Sequence, residues 1–421
     1  MTLDQPTTEN RQLGDLALRT FRWSLAVGLV GLVISLVIGW RSVEGWERFF
    51  RSYLVAFCFV LSISLGGLFF TLMQHLARAG WSVVLRRVAE ALAGNLTWIW
   101  ILFLPIAIGM LTGELYNWND PALRESDELL IKKAPYLNAP FWLIRAGIYF
   151  AIWALIARFF FRVSVAQDKS GDPHLTSRLQ SVSAVAMILY AFTQSFAIID
   201  WVMTLEFGWF STILGVYFFA ASCCGFGATI ILLFYGLQRA GRLSASVSAD
   251  HYHEMGKFLF AFGIFFWAYI AYSQYMLIWY GNMPEETGWF IGRQLGGWGA
   301  FSLFLLFGHF CGPFLILLSR HPKRMKGVLA VAAGWMLFMH LADLYWLVMP
   351  RTPPELASAT SYAELAELYK DAPVGFHPLD LTCLVALGGL ALAGVALRLR
   401  RCSLIPIRDP RLHESLAFEN M

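Results

Sequence analysis

The chain has 421 residues, of which 58% are hydrophobic and 14% charged, and its mean hydropathy is +0.57. Soluble domains are nearer half apolar and a quarter charged, so this composition predicts an integral membrane protein. The net charge of +4 is small and no basic run stands out, which argues against a nucleic-acid surface. The six cysteines form neither C-x-x-C nor C-x-x-C-H, so we expect no disulfide framework, zinc ribbon, iron–sulfur cluster or c-type haem attachment.

Ten stretches of the sequence are long and apolar enough to cross a bilayer, which takes about 20 residues of helix. They are continuously apolar rather than alternating, so helices are expected rather than strands. We therefore predict an all-α integral membrane protein with about ten transmembrane helices. The predicted spans cover residues 20–40, 53–75, 91–113, 140–163, 178–203, 209–236, 255–282, 294–318, 326–349 and 378–398.

The distribution of Lys and Arg predicts the orientation, because short loops rich in these residues stay in the cytoplasm. The stretches after the second, fourth, sixth and eighth spans each carry Lys or Arg, whereas the loop between the fifth and sixth spans has none and that between the seventh and eighth has Arg293 alone; the C-terminal tail is also basic. Residues 1–19 are polar and mixed in charge, unlike a signal peptide. Both termini are therefore predicted to be cytoplasmic.

Two short matches suggest an internal repeat of the kind found in membrane proteins. Residues 74–80 resemble 237–241, and residues 200–203 resemble 343–349. Within 351–377, Ser361 and Glu364 match a capping box that begins a short amphipathic helix through Tyr369. The predicted organisation is a cytoplasmic segment at 1–19, a peripheral first span at 20–52, a first four-helix bundle at 53–208, a second four-helix bundle at 209–350, an outer-face loop at 351–377, and a peripheral tenth span with a cytoplasmic tail at 378–421.

Buried carboxylates are the first candidates for chemistry. The fifth predicted span runs into Asp200 and Glu206 with no Lys or Arg nearby in sequence, and Asp343 has a similar place in the ninth. A carboxylate in a membrane is costly, and such residues usually face a bundle interior, pair with a partner or relay protons. Asp200 and Asp343 could each load and release a proton. The alternative is an interfacial side chain that reaches water.

Four basic residues could continue a proton path through the second four-helix bundle. His253 and Lys257 share a helix face at the start of the seventh span and could take up protons; a capped helix start with snorkelling charges is the alternative. His309 and His340 lie deep in neighbouring spans. A haem b between them is conceivable, but hydrogen-bonded core histidines are far commoner.

Other polar residues in or beside the spans could hydrogen-bond a quinone carbonyl or a water chain, or could be ordinary interface residues. No phosphate-binding glycine loop, catalytic triad or H-E-x-x-H motif is present, so we expect no hydrolase, ATP-driven pump or metal site. The candidate contacts are Glu114, Arg145, Gln194, Gln274 and Tyr275.

Residues 200–210, 251–286 and 409–420 resemble the ActF-type membrane subunits of bacterial alternative complex III, within the NrfD/polysulfide-reductase membrane-subunit family. The most specific stretch is IAYSQYMLIWYGNMPEE at 270–286. The resemblance implies ten helices with two four-helix bundles, a place in the bacterial inner membrane, and membership of a quinol:cytochrome c (or other acceptor) oxidoreductase. It implies as partners a sister NrfD-like membrane subunit, a peripheral iron–sulfur subunit and haem c subunits.

One stretch departs from that family. Residues 113–118 read Gly-Glu-Leu-Tyr-Asn-Trp where quinone-oxidising relatives would be expected to have a His, which counts against quinol oxidation here. Haem c and iron–sulfur clusters then belong to partner subunits, and this chain has no covalently bound cofactor. The predicted function is proton translocation, with quinone contact as an additional role; the alternatives are an assembly scaffold of the same complex or a stand-alone transporter. The predicted proton path comprises Asp200, Glu206, His253, Lys257, His309, His340 and Asp343.

Overall fold

The structure is a computed structural model that describes residues 9–42, 45–359 and 361–420, apart from the side chain of Ala357. The described part is helical, with one isolated β-bridge between Asn10 and Arg242. Two stretches, π1 (Leu259–Phe266) and π2 (Leu306–Cys311), are π-helical. The α-helices are α1 (Asp15–Arg41), α2 (Gly45–Leu76), α3 (Val83–Ala93), α4 (Trp100–Leu111), α5 (Pro121–Ser126), α6 (Glu128–Lys133), α7 (Ala139–Ser170), α8 (His174–Trp201), α9 (Leu214–Arg239), α10 (Ala249–Phe258), α11 (Trp267–Gly281), α12 (Pro284–Ile291), α13 (Gly296–Leu305), α14 (Gly312–Leu318), α15 (Arg320–Arg324), α16 (Lys326–Val348), α17 (Tyr362–Leu368), α18 (Pro378–Leu399) and α19 (Leu412–Leu416).

Within the described ranges, nine helices are long and apolar enough to span a membrane, and a bent pair supplies a tenth if its two parts form one span. Helices suit these stretches because every backbone N–H and C=O in lipid must pair internally. The prediction of an all-α, multi-pass membrane protein is therefore confirmed. The third predicted span is the bent pair: Val83–Thr97 and Trp100–Leu111 meet at 41°.

A side chain from α18 fixes the break in the third span. Arg398 donates from Nη2 to the carbonyl oxygen of Gly94 at 2.7 Å and to Thr97 Oγ1 at 2.9 Å. A Cβ at position 94 would lie 2.1 Å from Arg398 Nε, so only glycine leaves room for the guanidinium. The carbonyl that the bend frees thus finds a donor within the protein.

The centre of the molecule is the contact between α2 and α9. In their most apolar stretches, 83% of α2 and 72% of α9 is buried, against 22% of α1, which packs along α18 at the periphery. We call α2, α3–α4, α7 and α8 the first helix group, because α8 packs on α2 and α7, and α4 packs on α2. The second helix group is α9, α10–α11, α13–α14 and α16, in which α16 and π1 pack on α9.

Gly66 permits the close approach of α2 to α9, because a Cβ there would lie 2.3 Å from the carbonyl oxygen of Ser222. We expect Gly66→Ala to lower stability by about 1–3 kcal/mol, as overpacking in a filled core does. Gly236→Ala is the matched control, since that glycine of α9 faces open space. Thermal unfolding of both variants in one detergent tests this, and equal midpoints would contradict the close packing.

Residues 9–13 and 403–420 lie on the same side of the helices, which we call the terminal face; the other side is the opposite face. The N–H of Leu404 donates to the carbonyl oxygen of Arg11 at 2.8 Å. Glu9 accepts from the N–H groups of Ala245 and Ser246 at 2.7 and 2.9 Å and from the Ser246 hydroxyl. On the opposite face, the predicted cap of α17 is confirmed, because Ser361 Oγ accepts from the N–H of Glu364.

Glu9 attaches the segment before α1 to Ala245 and Ser246, and the strength of this attachment depends on pH. Burial alone would raise the pKa of this carboxyl, but the hydrogen bonds from Ser246 and Ala245 and the charge of Arg11 outweigh it and lower the pKa. A carboxyl whose pKa is lower in the folded state stabilises above its unfolded pKa and loses that effect as pH falls through the folded value. We expect Glu9→Gln to cost about 1 kcal/mol at neutral pH. Unfolding midpoints of the two proteins should converge in acid; a difference that persists at pH values well below the carboxyl pKa would contradict this.

Candidate functional site

Asp200 lies in the last turn of α8 and is fully buried. Arg145 of α7 donates to both carboxylate oxygens, from Nε to Oδ2 at 2.7 Å and from Nη2 to Oδ1 at 2.9 Å. The hydroxyls of Tyr136 and Tyr149 donate to Oδ1 and Oδ2, each at 2.9 Å. Two predicted residues, Asp200 and Arg145, are thus brought together as a bidentate buried ion pair, the strongest geometry for such a pair.

The backbone around Asp200 is held as firmly as its carboxylate. Its carbonyl oxygen accepts from Trp142 Nε1 at 2.9 Å and from Thr204 Oγ1 at 2.6 Å. The Arg145 guanidinium stacks over the Tyr136 ring, 3.8 Å from its centroid. Four hydrogen bonds, two of them from the Arg145 cation, thus hold this carboxylate in one position.

Asp343 of α16 is also fully buried, but its surroundings are different. The Tyr217 hydroxyl donates to Oδ1, and Trp267 Nε1 donates to Oδ2 at 3.1 Å. No Arg, Lys or His nitrogen in the described part of the chain lies within 4.0 Å of this carboxylate. Asp343 is therefore a buried acid with two neutral hydrogen-bond donors and no adjacent cation.

Trp267 joins Asp343 to the first of the two deep imidazoles. Its indole ring stacks face to face on His309, with centroids 3.8 Å apart and planes 2° from parallel. His309 Nε2 lies 3.1 Å from the carbonyl oxygen of Gly263 in π1. Because a carbonyl can only accept, Nε2 carries the proton, and Nδ1 is an acceptor that has no partner among the described residues.

His340 lies one turn before Asp343 on the same face of α16. Its Nε2 is 2.8 Å from Ser62 Oγ of α2, whose hydroxyl donates to the carbonyl of Phe59. His340 Nε2 is therefore the donor, and its Nδ1 is again without a partner in the described ranges. A Cβ at Gly225 would lie 2.8 Å from this ring, so glycine makes room for it. Both deep imidazoles thus donate from Nε2 and have an Nδ1 without a partner among the described residues.

The predicted uptake residues lie at the terminal-face end of α10. His253 Nδ1 is 2.8 Å from Asn420 Nδ2, which also donates to Glu254 Oε1 at 2.5 Å. Lys257 Nζ lies 2.6 Å from the same Glu254 oxygen and remains half exposed. His253 and Lys257 are therefore linked through Glu254 and the C-terminal segment, an arrangement that the sequence did not suggest.

An apolar layer separates the terminal-face groups from the deep imidazoles. Phe258 and Phe262 pack on each other and on neighbouring rings of α2 and α9. The hydrogen bonds within the described residues do not connect His253 to His309. The layer coincides with π1, which faces π2 across the bond from His309 to Gly263. Short π-helical segments occur frequently at functional sites.

The other predicted residues contact different partners. Glu206 accepts from the N–H of Thr352 at 3.2 Å, and Gln194 Nε2 donates to the carbonyl of Gly215 at 3.0 Å. Glu114 is exposed, and Gln274 is buried with an unpartnered Oε1. Tyr275 accepts from Gln294 Nε2 and lines a cavity. The five candidate quinone contacts therefore share no common partner in the described structure.

Four residues of these clusters were missed by the sequence reasoning: Tyr136, Tyr149, Tyr217 and Trp267. An aromatic residue with a polar tip usually finds a partner when it is buried in an apolar span, and that is the only signal that could have indicated them. Within the described ranges, no three His, Cys, Asp or Glu side chains are grouped so that they could hold a metal ion.

No protein-family model matches the chain, and a search of curated proteins also finds no match. The resemblance to ActF-type subunits therefore stays a prediction from the sequence.

Proposed function

We propose that this chain is an integral membrane subunit of a quinol:cytochrome c (or other acceptor) oxidoreductase, and that its second helix group translocates protons. The observation that carries this proposal is the buried acid Asp343, bonded to Tyr217 and Trp267 and coupled through Trp267 to His309. An ionisable residue without a cation inside apolar spans is a candidate for proton transfer by default.

The contacts of Asp343 support both of its protonation states. Two neutral donors stabilise the ionised carboxylate, while burial without a cation favours the protonated acid, so neither state is held strongly. Ionised Asp343 would also favour a charged His309, because opposite charges attract, and the stacked face of Trp267 would stabilise the protonated imidazole. Asp343 and His309 would then gain and lose their charges together, and Trp267 would hold the two side chains in position.

Protons would enter from the terminal face at His253, Glu254 and Lys257 and reach the free Nδ1 atoms of His309 and His340. The Lys- and Arg-rich loops support the assignment of the terminal face to the cytoplasm. The apolar layer at π1 must open for each proton, so we place the gating step there. The helix packing also supports two four-helix bundles, flanked by α1 and α18.

The first helix group has a different role in this proposal. The ion pair of Asp200 with Arg145 supports a scaffold function, with Asp200 as a fixed charge that joins α7 to α8. Glu206 similarly connects the end of this group to residue Thr352 after α16. Among the candidate quinone contacts, Tyr275 lines a cavity open at the protein surface.

Isolation of the tagged chain from its native membrane tests the assignment to a complex. We expect a sister membrane subunit to co-purify, together with the visible absorbance of haem c and the electron paramagnetic resonance of iron–sulfur clusters. Isolation as a single chain that lacks both signals would contradict the proposal and favour a stand-alone transporter.

A further inference from the structure

A large cavity opens between α11 and α13 in the opposite-face half of the second helix group. Its volume is about 880 Å³, within the range of about 300–1,000 Å³ that small-molecule sites occupy. Its rim is formed by apolar and aromatic side chains of membrane-spanning helices, among them Tyr269, Tyr272 and Leu303, which are 60%, 66% and 56% exposed. Side chains exposed on such helices face lipid, so the natural occupant of this cavity enters from the membrane.

One end of the cavity is polar and positively charged. Arg293, between α12 and α13, lines it and is only 1% exposed. Gln294 and Ser302 line the same cavity. The rest of the lining is mainly apolar, so the cavity has the amphipathic character of a lipid: a polar end beside the membrane surface and an apolar body within it.

The charge of Arg293 is not balanced by the protein around it. Its guanidinium stacks 3.3 Å from the centre of the Trp289 ring, and in the described ranges no carboxylate oxygen lies within 4.0 Å of it. The carboxylate whose charge acts on it most is Glu206, which is already bonded to Thr352. Burial lowers the pKa of the guanidinium, yet arginine remains protonated in proteins, so a buried positive charge is left without a counter-ion.

The hydrogen-bond geometry of Arg293 leaves it able to bind an anion. Three of its five N–H donors point to the carbonyl oxygens of Trp346, Trp289 and Leu347, two of which belong to the last turn of α16. The partial negative charge of a helix end offsets only part of a full positive charge. The remaining donors suit an oxyanion such as phosphate, which guanidinium binds preferentially.

We propose that this cavity is a binding site for an anionic phospholipid, with an acyl chain between α11 and α13 and the phosphate against Arg293 and Gln294. A neutral quinone would fill the apolar body of the cavity but would leave the guanidinium uncompensated, so the charge favours the phospholipid. This inference does not rest on the proposed proton translocation, since it concerns lipid binding alone.

Lipid retention by the isolated protein, with the subunits that accompany it, tests the site. The protein is equilibrated in vesicles of equal phosphatidylglycerol and phosphatidylcholine, extracted with mild detergent, and its bound lipids are counted by mass spectrometry. We expect one phosphatidylglycerol per chain to be retained with about fivefold to tenfold preference, the size of effect expected for one charge pair near a membrane surface. Arg293→Gln should remove the preference.

Because Arg293→Gln also removes bonds to the end of α16, a second variant tests the cavity alone. Leu303→Trp fills the cavity from its lipid-exposed rim and should abolish retention. Leu155→Trp, also lipid-exposed but outside the cavity, should leave retention unchanged. Equal retention of both lipids by the unaltered protein, full retention by Leu303→Trp, or a quinone retained in place of phosphatidylglycerol would each overturn the proposal.

Discussion

Replacing Arg145 by Met is expected to lower the free energy of unfolding by about 3–5 kcal/mol, the cost of removing one partner from a buried ion pair. Arg145 supplies two of the four donors to the Asp200 carboxylate, and without it a fully buried negative charge remains beside two tyrosine hydroxyls. Arg145→Met keeps most of the apolar stem and removes the cation together with its hydrogen bond to the Tyr136 carbonyl oxygen and its stacking on the Tyr136 ring, so the loss reports the whole cluster around the ion pair. Chemical unfolding of the purified protein in detergent measures it.

The double variant Arg145→Met with Asp200→Leu is the control for this prediction. It removes both charges together, and replacing a buried ion pair by apolar residues of similar volume is often neutral. We expect it to recover most of the stability that the single variant loses. The prediction is contradicted if the single variant is nearly as stable as the unaltered protein, or if the double variant is no more stable than the single one. Either result would show that the ion pair does not stabilise the contact between α7 and α8.

Replacing Asp343 by Asn is expected to slow proton translocation through this chain by about 100-fold, the lower range for loss of a positioned acid–base group. Asn has nearly the same shape as Asp, and its amide oxygen can still accept from Trp267, so the fold should remain intact. Proton and electron fluxes of the complex in sealed proteoliposomes measure the effect. Electron transfer should change much less, because no redox step is assigned to this chain.

Asp200→Asn is the matched comparison for Asp343→Asn. Both variants remove a fully buried carboxylate near the end of a span, but only Asp343 lacks an adjacent cation. We expect Asp200→Asn to lower stability and to leave the ratio of protons to electrons unchanged. An unchanged ratio in Asp343→Asn would remove the support for proton conduction and leave an inert scaffold as the better description.

The spans could be predicted because a membrane imposes their length and composition locally, and the cap at Ser361 could be predicted for the same reason: its partner is three residues away. The break in the third span could not. It depends on Arg398, which donates to Gly94 from a helix 304 residues further along the chain. A long-range contact of this kind produces no pattern of residue spacing in either segment from which it could be predicted.

The burial of Asp200 and Asp343 was also predictable, since both follow long apolar runs. The difference between their surroundings was not predictable, because residues on other helices produce it. Asp200 meets Arg145, 55 residues away, whereas Asp343 meets Tyr217 and Trp267, 126 and 76 residues away. Two acids in similar sequence settings therefore acquire different surroundings, and the packing of α7, α9 and α11 decides which of them is paired with a cation.

The most direct test of the central claim is infrared difference spectroscopy of the complex during turnover, because it detects a change in the protonation of individual carboxyl groups. The account predicts a carboxyl carbonyl band that disappears in Asp343→Asn and persists in Asp200→Asn. A band that survives Asp343→Asn, or one that is lost only in Asp200→Asn, would contradict the assignment of the moving proton to the second helix group.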